Sequence, residues 1–274
     1  MSNIKTLLPA PHISKLLPQI TDEQSYDFPE ELIPQKLFDI TNTETIHAFT
    51  KKMVNIMTEY RELMMMYNSA MKQIHTKFEI LNAEYSVRYK RNPINFINTR
   101  LKSRSSIVDK MLRLNIPLTI ENLESYIDDI AGIRVICSYV DDIYEITQAI
   151  IKQNDVTLIS QKDYIAKPKP NGYRSMHLII SVPVFFTDQI KQIKVEIQIR
   201  TIAMDFWATL EHELKYKNQI THESKIAVEL KECADIISDT DARMLEIRKK
   251  IVINEQTEEE ILIEKIKKLD FPIG

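Results

Sequence analysis

KDYIAKPKPNGYRSMHLII (Lys162–Ile180) and, after a short insertion, KVEIQIRT (Lys194–Thr201) decide how this 274-residue chain folds. Over the second segment Ile193, Val195, Ile197 and Ile199 alternate with Lys194, Glu196, Gln198 and Arg200. Side chains along a strand point to opposite faces in turn, so this spacing gives one apolar face for a core and one wholly polar face. A polar face of that kind is ordinarily just solvated. The first segment says more. Tyr173, Ser175 and His177 recur at period two, which would bring an aromatic ring, a hydroxyl and an imidazole to one shallow site.

The loop between them and the preceding strand reads Lys167, Pro168, Lys169, Pro170, Asn171, Gly172. It combines fixed φ at the prolines, free φ at Gly172 and two mobile ammonium groups, which suits a phosphate clamp as well as an ordinary turn. Glycine is scarce, with only Gly132, Gly172 and Gly274, and both internal glycines lie beside concentrated charge.

Upstream, Arg88, Lys90, Arg91, Arg100, Lys102, Arg104, Lys110 and Arg113 face one acid, Asp109, between positions 88 and 113. The whole chain has a net charge of −3, so this is a local basic patch and not a basic protein. Asn92 and Pro93 end one helix, a short extended piece follows, and a new helix is expected to start near Ser105 or Ser106, where a hydroxyl can cap it. Helical spacing then gathers Ser106, Lys110 and Arg113 near its N-terminus, where hydroxyl, ammonium and guanidinium can meet a polyphosphate. Asp128 and Asp129 precede the apolar run Ile130–Cys137. A carboxylate there, with Glu196 on a second strand, is one way to hold Mg²⁺ with phosphate oxygens; loop acids at a helix end read the same way.

Residues 1–43, with Pro9, Pro11, Pro18, Pro29 and Pro34, read as an irregular arm. From 44 to 90 the residues Ile46, Phe49, Met53, Ile56, Tyr60, Leu63, Met64, Tyr67, Met71, Ile74 and Phe78 recur at helical spacing without Pro or Gly, which predicts one long amphipathic helix or a helical pair. Helices are expected over 121–127 and 141–153, and a strand over 156–160. After Thr201 a helix carries Ala203, Phe206, Trp207, Leu210 and Leu214 as its expected core stripe. Strands alternating with helices predict an α+β fold with a mixed sheet, spanning 91–218, followed by a helical extension over 219–274. No apolar run reaches bilayer length, and no basic start leads into an apolar core, so the expected location is the cytoplasm. Cys137 and Cys233 lack metal-ligand spacing and read as reduced thiols.

Five motifs in order closely resemble the synthetase domain of the RelA/SpoT homologues. They are R-x-K-x-x-x-S (Arg100 to Ser106), D-I-A-G-I-R (Asp129–Arg134), K-D-Y-I-x-x-P-K-P-N-G-Y-R-S-x-H (Lys162–His177), V-E-I-Q-I-R-T (Val195–Thr201) and F-W-A-x-L-E-H-E-L-K-Y-K (Phe206–Lys217). The short chain resembles a small alarmone synthetase, and its P-K-P-N-G-Y and A-M-D-F-W wording is closest to the RelP type.

The resemblance implies a nucleotidyltransferase-like mixed sheet flanked by helices. It also implies a GTP/GDP pyrophosphokinase: the β,γ-pyrophosphate of ATP moves to the 3′-hydroxyl of GDP or GTP, giving ppGpp or pppGpp and AMP. By that resemblance Arg100 and Arg134 sandwich adenine, with Lys102, Ser106, Lys110 and Arg113 on the ATP side. Guanidinium planes suit stacking on a base. Asp129 and Glu196 become Mg²⁺ ligands and the catalytic pair, Glu196 also taking the 3′-hydroxyl proton. Tyr173 stacks on guanine, Lys169, Arg174 and His177 position the acceptor, and Glu211 and Lys215 join the GDP/GTP side. A homotetramer through the terminal helices is implied too. Asp205 and Asn98 depart from the RelQ type, so activation by pppGpp is not expected. None of the six histidines precedes an aspartate, so alarmone hydrolysis is not expected either. The competing expectation is an RNA-binding module using the basic segment with Tyr85, Tyr89 and Phe96; ordered carboxylates at Asp129 and Glu196 count against it.

Overall fold

The computed structural model describes residues 43–218 and 225–268, with side chains described over 50–214 and 225–252. The expected N-terminal arm lies outside these residues except for Thr43. Helix α1 (Thr43–Tyr89) is one continuous rod of 47 residues, not a pair. Tyr60, Leu63, Tyr67, Met71, Ile74 and Phe78 recur three or four positions apart and are buried along it. In the methionine run Met64 and Met66 are buried while Met65 is exposed. The helix stops at Lys90, whose φ of 51° turns the chain in the left-handed manner typical of a helix end.

The following segment is a full strand, β1 (Ile94–Leu101). Strands β2 (Ala131–Cys137), β3 (Thr157–Asp163), β4 (Met176–Phe185) and β5 (Ile190–Thr201) complete a five-stranded sheet in the order β1-β2-β5-β4-β3. β2 and β5 are parallel and the other pairs antiparallel, so the expected α+β fold with a mixed sheet is found. β5 lies in the middle with Ile193, Val195, Ile197 and Ile199 wholly or nearly buried. They meet Ile133, Val135, Leu178 and Ile180 of the neighbouring strands, with α1 and helix α4 (Val140–Ile151) covering that face. Burying each such side chain contributes about 1.5–3 kcal/mol, and this single core holds the rod of α1 to the sheet.

Helix α2 (Arg104–Arg113) starts close to the expected position: Ser103 is its N-cap, and its hydroxyl accepts from the Ser106 N–H at 3.3 Å. Two local expectations are corrected. Ser175 does not line a site with Tyr173 and His177. β4 begins only at Met176, so the period of two does not extend back through the preceding bend, and the buried Ser175 hydroxyl donates to the Ile199 carbonyl at 3.2 Å. Helix α5 (Ile202–Asn218) buries Met204, Trp207 and Ala208 and leaves Phe206, Leu210 and Leu214 exposed. Both sides of α5 are apolar, and the packed side is the one facing the sheet and helix α6 (Lys225–Lys268). The short helix α3 (Ile120–Tyr126) is capped by Thr119 and leads to the acids before β2. Cys137 is buried and Cys233 exposed, both as free thiols. No helix among the described residues is long and apolar enough to cross a membrane.

α6 laces the far end of the chain to the loop before β4. Trp207 Nε1 donates to the Leu230 carbonyl at 2.8 Å, and the Thr201 hydroxyl donates to Asp241 at 2.5 Å. Arg248 pairs with Asp141 of α4 at 3.0 Å. Arg174 donates to the Ala234 carbonyl at 3.1 Å and to the Asp235 carboxylate at 3.0 Å. Gly172, with φ of 87°, rests directly on this helix: a Cβ there would lie 2.6 Å from the Ala234 Cβ. Gly172→Ala is therefore expected to lower stability by more than about 1 kcal/mol, through backbone strain and collision together. In a denaturant-melting double-mutant cycle, Ala234→Gly relieves the collision alone. A favourable coupling between the two changes is expected, and simple additivity would refute the contact.

Candidate active site

The polar face of the sheet carries the site in two rows set by strand register. Arg100 of β1 stands across from Gly132 of β2, which pairs with Glu196 of β5. The next row runs Asn98, Arg134, Gln198, His177 and Lys162 from β1 to β3. Gly132 matters here for what it lacks: any side chain would stand on the sheet between Arg100 and Glu196. A Cβ there would meet the Arg100 carbonyl oxygen at 3.4 Å, and its absence leaves the floor low between the Arg100 and Glu196 register positions.

At the β1 end, Lys102 and Lys110 converge on Asp129, just before β2, at 2.9 and 2.8 Å to its two oxygens. Partial burial pulls the Asp129 carboxyl upward, but the hydrogen bonds from Lys110 and Lys102 outweigh it and hold the group below the usual carboxylate range. Asp128 instead pairs with Lys194 at 2.7 Å. Ser106 shares its hydroxyl with Ser103 at 2.7 Å in the first turn of α2, and Arg113 is exposed in the last. Arg100, Lys102, Ser106, Lys110 and Arg134 thus occupy neighbouring parts of β1, β2 and α2.

At the other end, the loop Lys169–Gly172 closes as a turn, the Gly172 N–H donating to the Lys169 carbonyl at 2.8 Å. Asn171 donates to Glu211 at 2.9 Å, so the buried Glu211 of α5 serves as an anchor for the loop. Tyr173 follows, its ring 4.9 Å from the Lys169 ammonium and edge-on to Tyr164 at 6.0 Å. The Tyr173 hydroxyl lies 2.7 Å from His177 Nε2, and His177 Nδ1 lies 3.6 Å from Glu196 Oε1. Both contacts are satisfied when tyrosine donates to Nε2 and the Nδ1 proton faces the carboxylate. Tyr173, His177 and Glu196 therefore form one polar chain leading from the loop to the sheet floor.

One expected acceptor residue has other partners: the Arg174 guanidinium is held by α6. The Lys215 side chain lies outside the described residues. Sequence reasoning gave no site role to Arg200, Gln198 and Tyr164, and no contact role to Asp205. Arg200, only 5% exposed, holds the Tyr173 hydroxyl at 2.6 Å, Gln198 at 3.0 Å and Asp205 at 3.1 Å. Its position on the polar register of β5 was the available signal. A cleft of about 960 Å³ lies on the reverse side of β1, between α1 and Thr99–Ser105. It meets the polar face only through Lys102 and the start of α2, so the paired rows and not that cleft define the site.

Among the described residues no three metal-ligating side chains cluster together. Two separate carboxylates, Asp129 and Glu196, fit Mg²⁺ only in the way it usually binds with polyphosphates, through one or two carboxylates with the remaining ligands from phosphate and water. The donor set suits Mg²⁺ arriving with a nucleotide. It does not suit a closed protein-only centre.

Asp129 gives a pH prediction. Because its folded titration lies below the unfolded one, it contributes stability that is present above the unfolded value of about 3.9 and is lost as pH falls through the folded value. Lys110→Met is expected to raise the Asp129 midpoint followed by carboxyl carbon NMR and to weaken acid resistance. An unchanged midpoint would show that the ion pair does not govern the group.

Residues 99–221 match the family model described as a region found in RelA / SpoT proteins. The chain is 42% identical over 196 residues to the GTP pyrophosphokinase YwaC of Bacillus subtilis, covering 72% of this chain and 93% of that protein. The structure of small alarmone synthetase 2 from Bacillus subtilis superposes with a TM-score of 0.63 at 42% identity, covering 70% of this chain and 99% of that one. Small alarmone synthetase 1 from the same organism, bound to its product pppGpp, superposes at 0.62 with 37% identity, covering 68% and 94%. On this extent of identity and superposition, the chain belongs to the RelA/SpoT family as one of its small alarmone synthetases, the GTP pyrophosphokinases.

Proposed function

We propose that this chain makes (p)ppGpp by moving the β,γ-pyrophosphate of ATP to the 3′-hydroxyl of GDP or GTP. The observation that carries the reading is the division of one polar face into a cationic end at Lys102, Lys110 and Arg134 and an aromatic–carboxylate end at Tyr173, His177 and Glu196, separated by bare floor at Gly132. The relative bound to pppGpp supports it.

Donor adenine stacks between Arg100 and Arg134, and its phosphates extend toward Lys102, Ser106, Lys110 and Arg113. In the free chain Asp129 neutralises Lys102 and Lys110 and keeps both ammonium groups pointed inward. An incoming polyphosphate takes those groups over and leaves the carboxylate, already ionised, for a cation. Asp129 and Glu196 would hold Mg²⁺, which would supply charge neutralisation on the transferring phosphates.

Acceptor guanine stacks on Tyr173, with Lys169 and His177 positioning it. A ribose hydroxyl is a poor nucleophile at neutral pH, so its proton needs an acceptor in reach. Glu196 takes that proton as the 3′-oxygen bonds to the β-phosphorus. The bond from that phosphorus to the α,β-bridging oxygen breaks, and AMP leaves with the electron pair. Arg174 and Glu211 act here through the loop: the first ties it to α6 and the second to α5. The homotetramer expected from the resemblance, through the terminal helices, gains support from the exposed Ile236, Met244 and Ile247 on α6. The RelP assignment rests on the motif wording alone.

The test is incubation with Mg²⁺, ATP labelled at the γ-phosphate, and GDP or GTP, followed by separation of nucleotides. Label on the guanosine nucleotide with release of AMP is expected. Glu196→Gln and Asp129→Asn are each expected to slow transfer by at least about a hundredfold. No transfer with any nucleotide pair, with RNA binding present, would replace this reading with a binding module.

A further inference from the structure

We propose that Arg200 and Asp205 form a bridge that couples the two base platforms, so that a nucleotide on one favours a nucleotide on the other. The inference deepens the proposed reaction and rests on it. Arg200 is 5% exposed and cannot reach a substrate itself. A guanidinium withdrawn from water is costly unless its donors are matched, and what matches them shows its role. One nitrogen donates to the Tyr173 hydroxyl at 2.6 Å and to Gln198 at 3.0 Å, and the other donates to Asp205 Oδ1 at 3.1 Å. Nε is buried without an acceptor among the described residues. The guanidinium also lies 5.0 Å from the centre of the Tyr173 ring.

The same oxygen, Asp205 Oδ1, lies 3.3 Å from Arg134. One carboxylate in the first turn of α5 thus serves two guanidinium groups, one buried beneath the acceptor platform and one 40% exposed in the donor platform. Burial and the nearby Arg200 charge lower the proton affinity of Arg134, and Asp205 offsets this only in part. With the donor site empty, the two arginines compete for one acceptor and repel each other. Donor binding brings phosphate charge to the site and a base to Arg134. Asp205 is then released to Arg200, and Arg200 holds the Tyr173 hydroxyl in a single place. A ring already held loses less freedom when guanine stacks on it, which makes the coupling favourable. For binding equilibria the effect is reciprocal, and couplings of this kind typically span about 5–150-fold.

The experiment is calorimetric titration of GDP with Mg²⁺, with and without a saturating ATP analogue whose α,β-bridging oxygen, the one the reaction severs, is replaced by methylene. In the unaltered protein the analogue is expected to tighten GDP at least about fivefold. Asp205→Asn weakens the shared oxygen, and Arg200→Lys cannot hold tyrosine, glutamine and aspartate together. Each is expected to bring the ratio close to one, with Asp205→Glu restoring part of it. A purely structural role would weaken both nucleotides singly and leave the ratio unchanged, which overturns the bridge. A ratio near one in the unaltered protein overturns it too, while leaving the proposed reaction intact if both nucleotides bind. Failure of either nucleotide to bind at all would sink the reaction and the bridge together. Should Arg200→Lys not fold, the partly exposed Asp205 carries the test.

Discussion

Strand β5 must be two things at once. It is paired on both edges, so its backbone is fully committed, and its alternate side chains have to satisfy opposite solvents. Ile193, Val195, Ile197 and Ile199 have nowhere to go but the core under α1 and α4, which forces Glu196, Gln198 and Arg200 onto the opposite side. A slip of one residue would drive a carboxylate, an amide and a guanidinium into the apolar layer, so the register that stabilises the fold is the register that aligns the rows of the site. Core packing and site geometry are one constraint here. The parallel pairing with β2 then sets Glu196 beside Gly132, and the antiparallel pairing with β4 brings His177 alongside Gln198.

That coupling explains what the sequence made legible. The alternation in β5 announced both faces, because each side is chemically pure over four positions. Asp129, Tyr173 and Glu196 could be singled out because a motif carries them in fixed order. The bridge could not be foreseen. Arg200 continues the polar series after Gln198 and reads as one more solvated charge, and only the cover supplied by the Tyr173 loop and the start of α5 withdraws it from water. The apolar stripe of α5 was misjudged for a related reason. Trp207 and Ala208 interleave with Phe206 and Leu210 around a helix that is apolar on two sides, and nothing in the spacing tells which side has a neighbour. For Ser175 the error was one of extent: a strand period was carried into residues that precede the strand.

The two ends of the polar face differ in how they are held. On the proposed assignment the donor end is built mostly from local pieces: β1, α2 and the approach to β2 lie within about forty residues of one another, and its two lysines are kept in order by a single aspartate. The acceptor end depends on distant partners. Its loop is tied to α5 through Asn171 and Glu211 and to α6 through Arg174 and the bare Cα of Gly172. On that assignment, a donor end built from local contacts and an acceptor loop held by long-range ones suit a reaction in which the second base must be seated before transfer.

The dependence of that loop on α6 bears on the order in which the protein becomes competent during its own synthesis. A chain grows from its N-terminus and its parts fold as they emerge. The sheet, both carboxylates and every donor-side cation are complete once β5 has been made, yet Ala234, Asp235 and Asp241 are not among them. The acceptor platform is therefore the last piece to lock, fixed by residues translated after all of the chemistry. On the proposed assignment, a partly made chain carries the means to bind a donor nucleotide but lacks a seated place for the acceptor, and the fold itself defers production of the signal until the α6 contacts that hold the loop are in place.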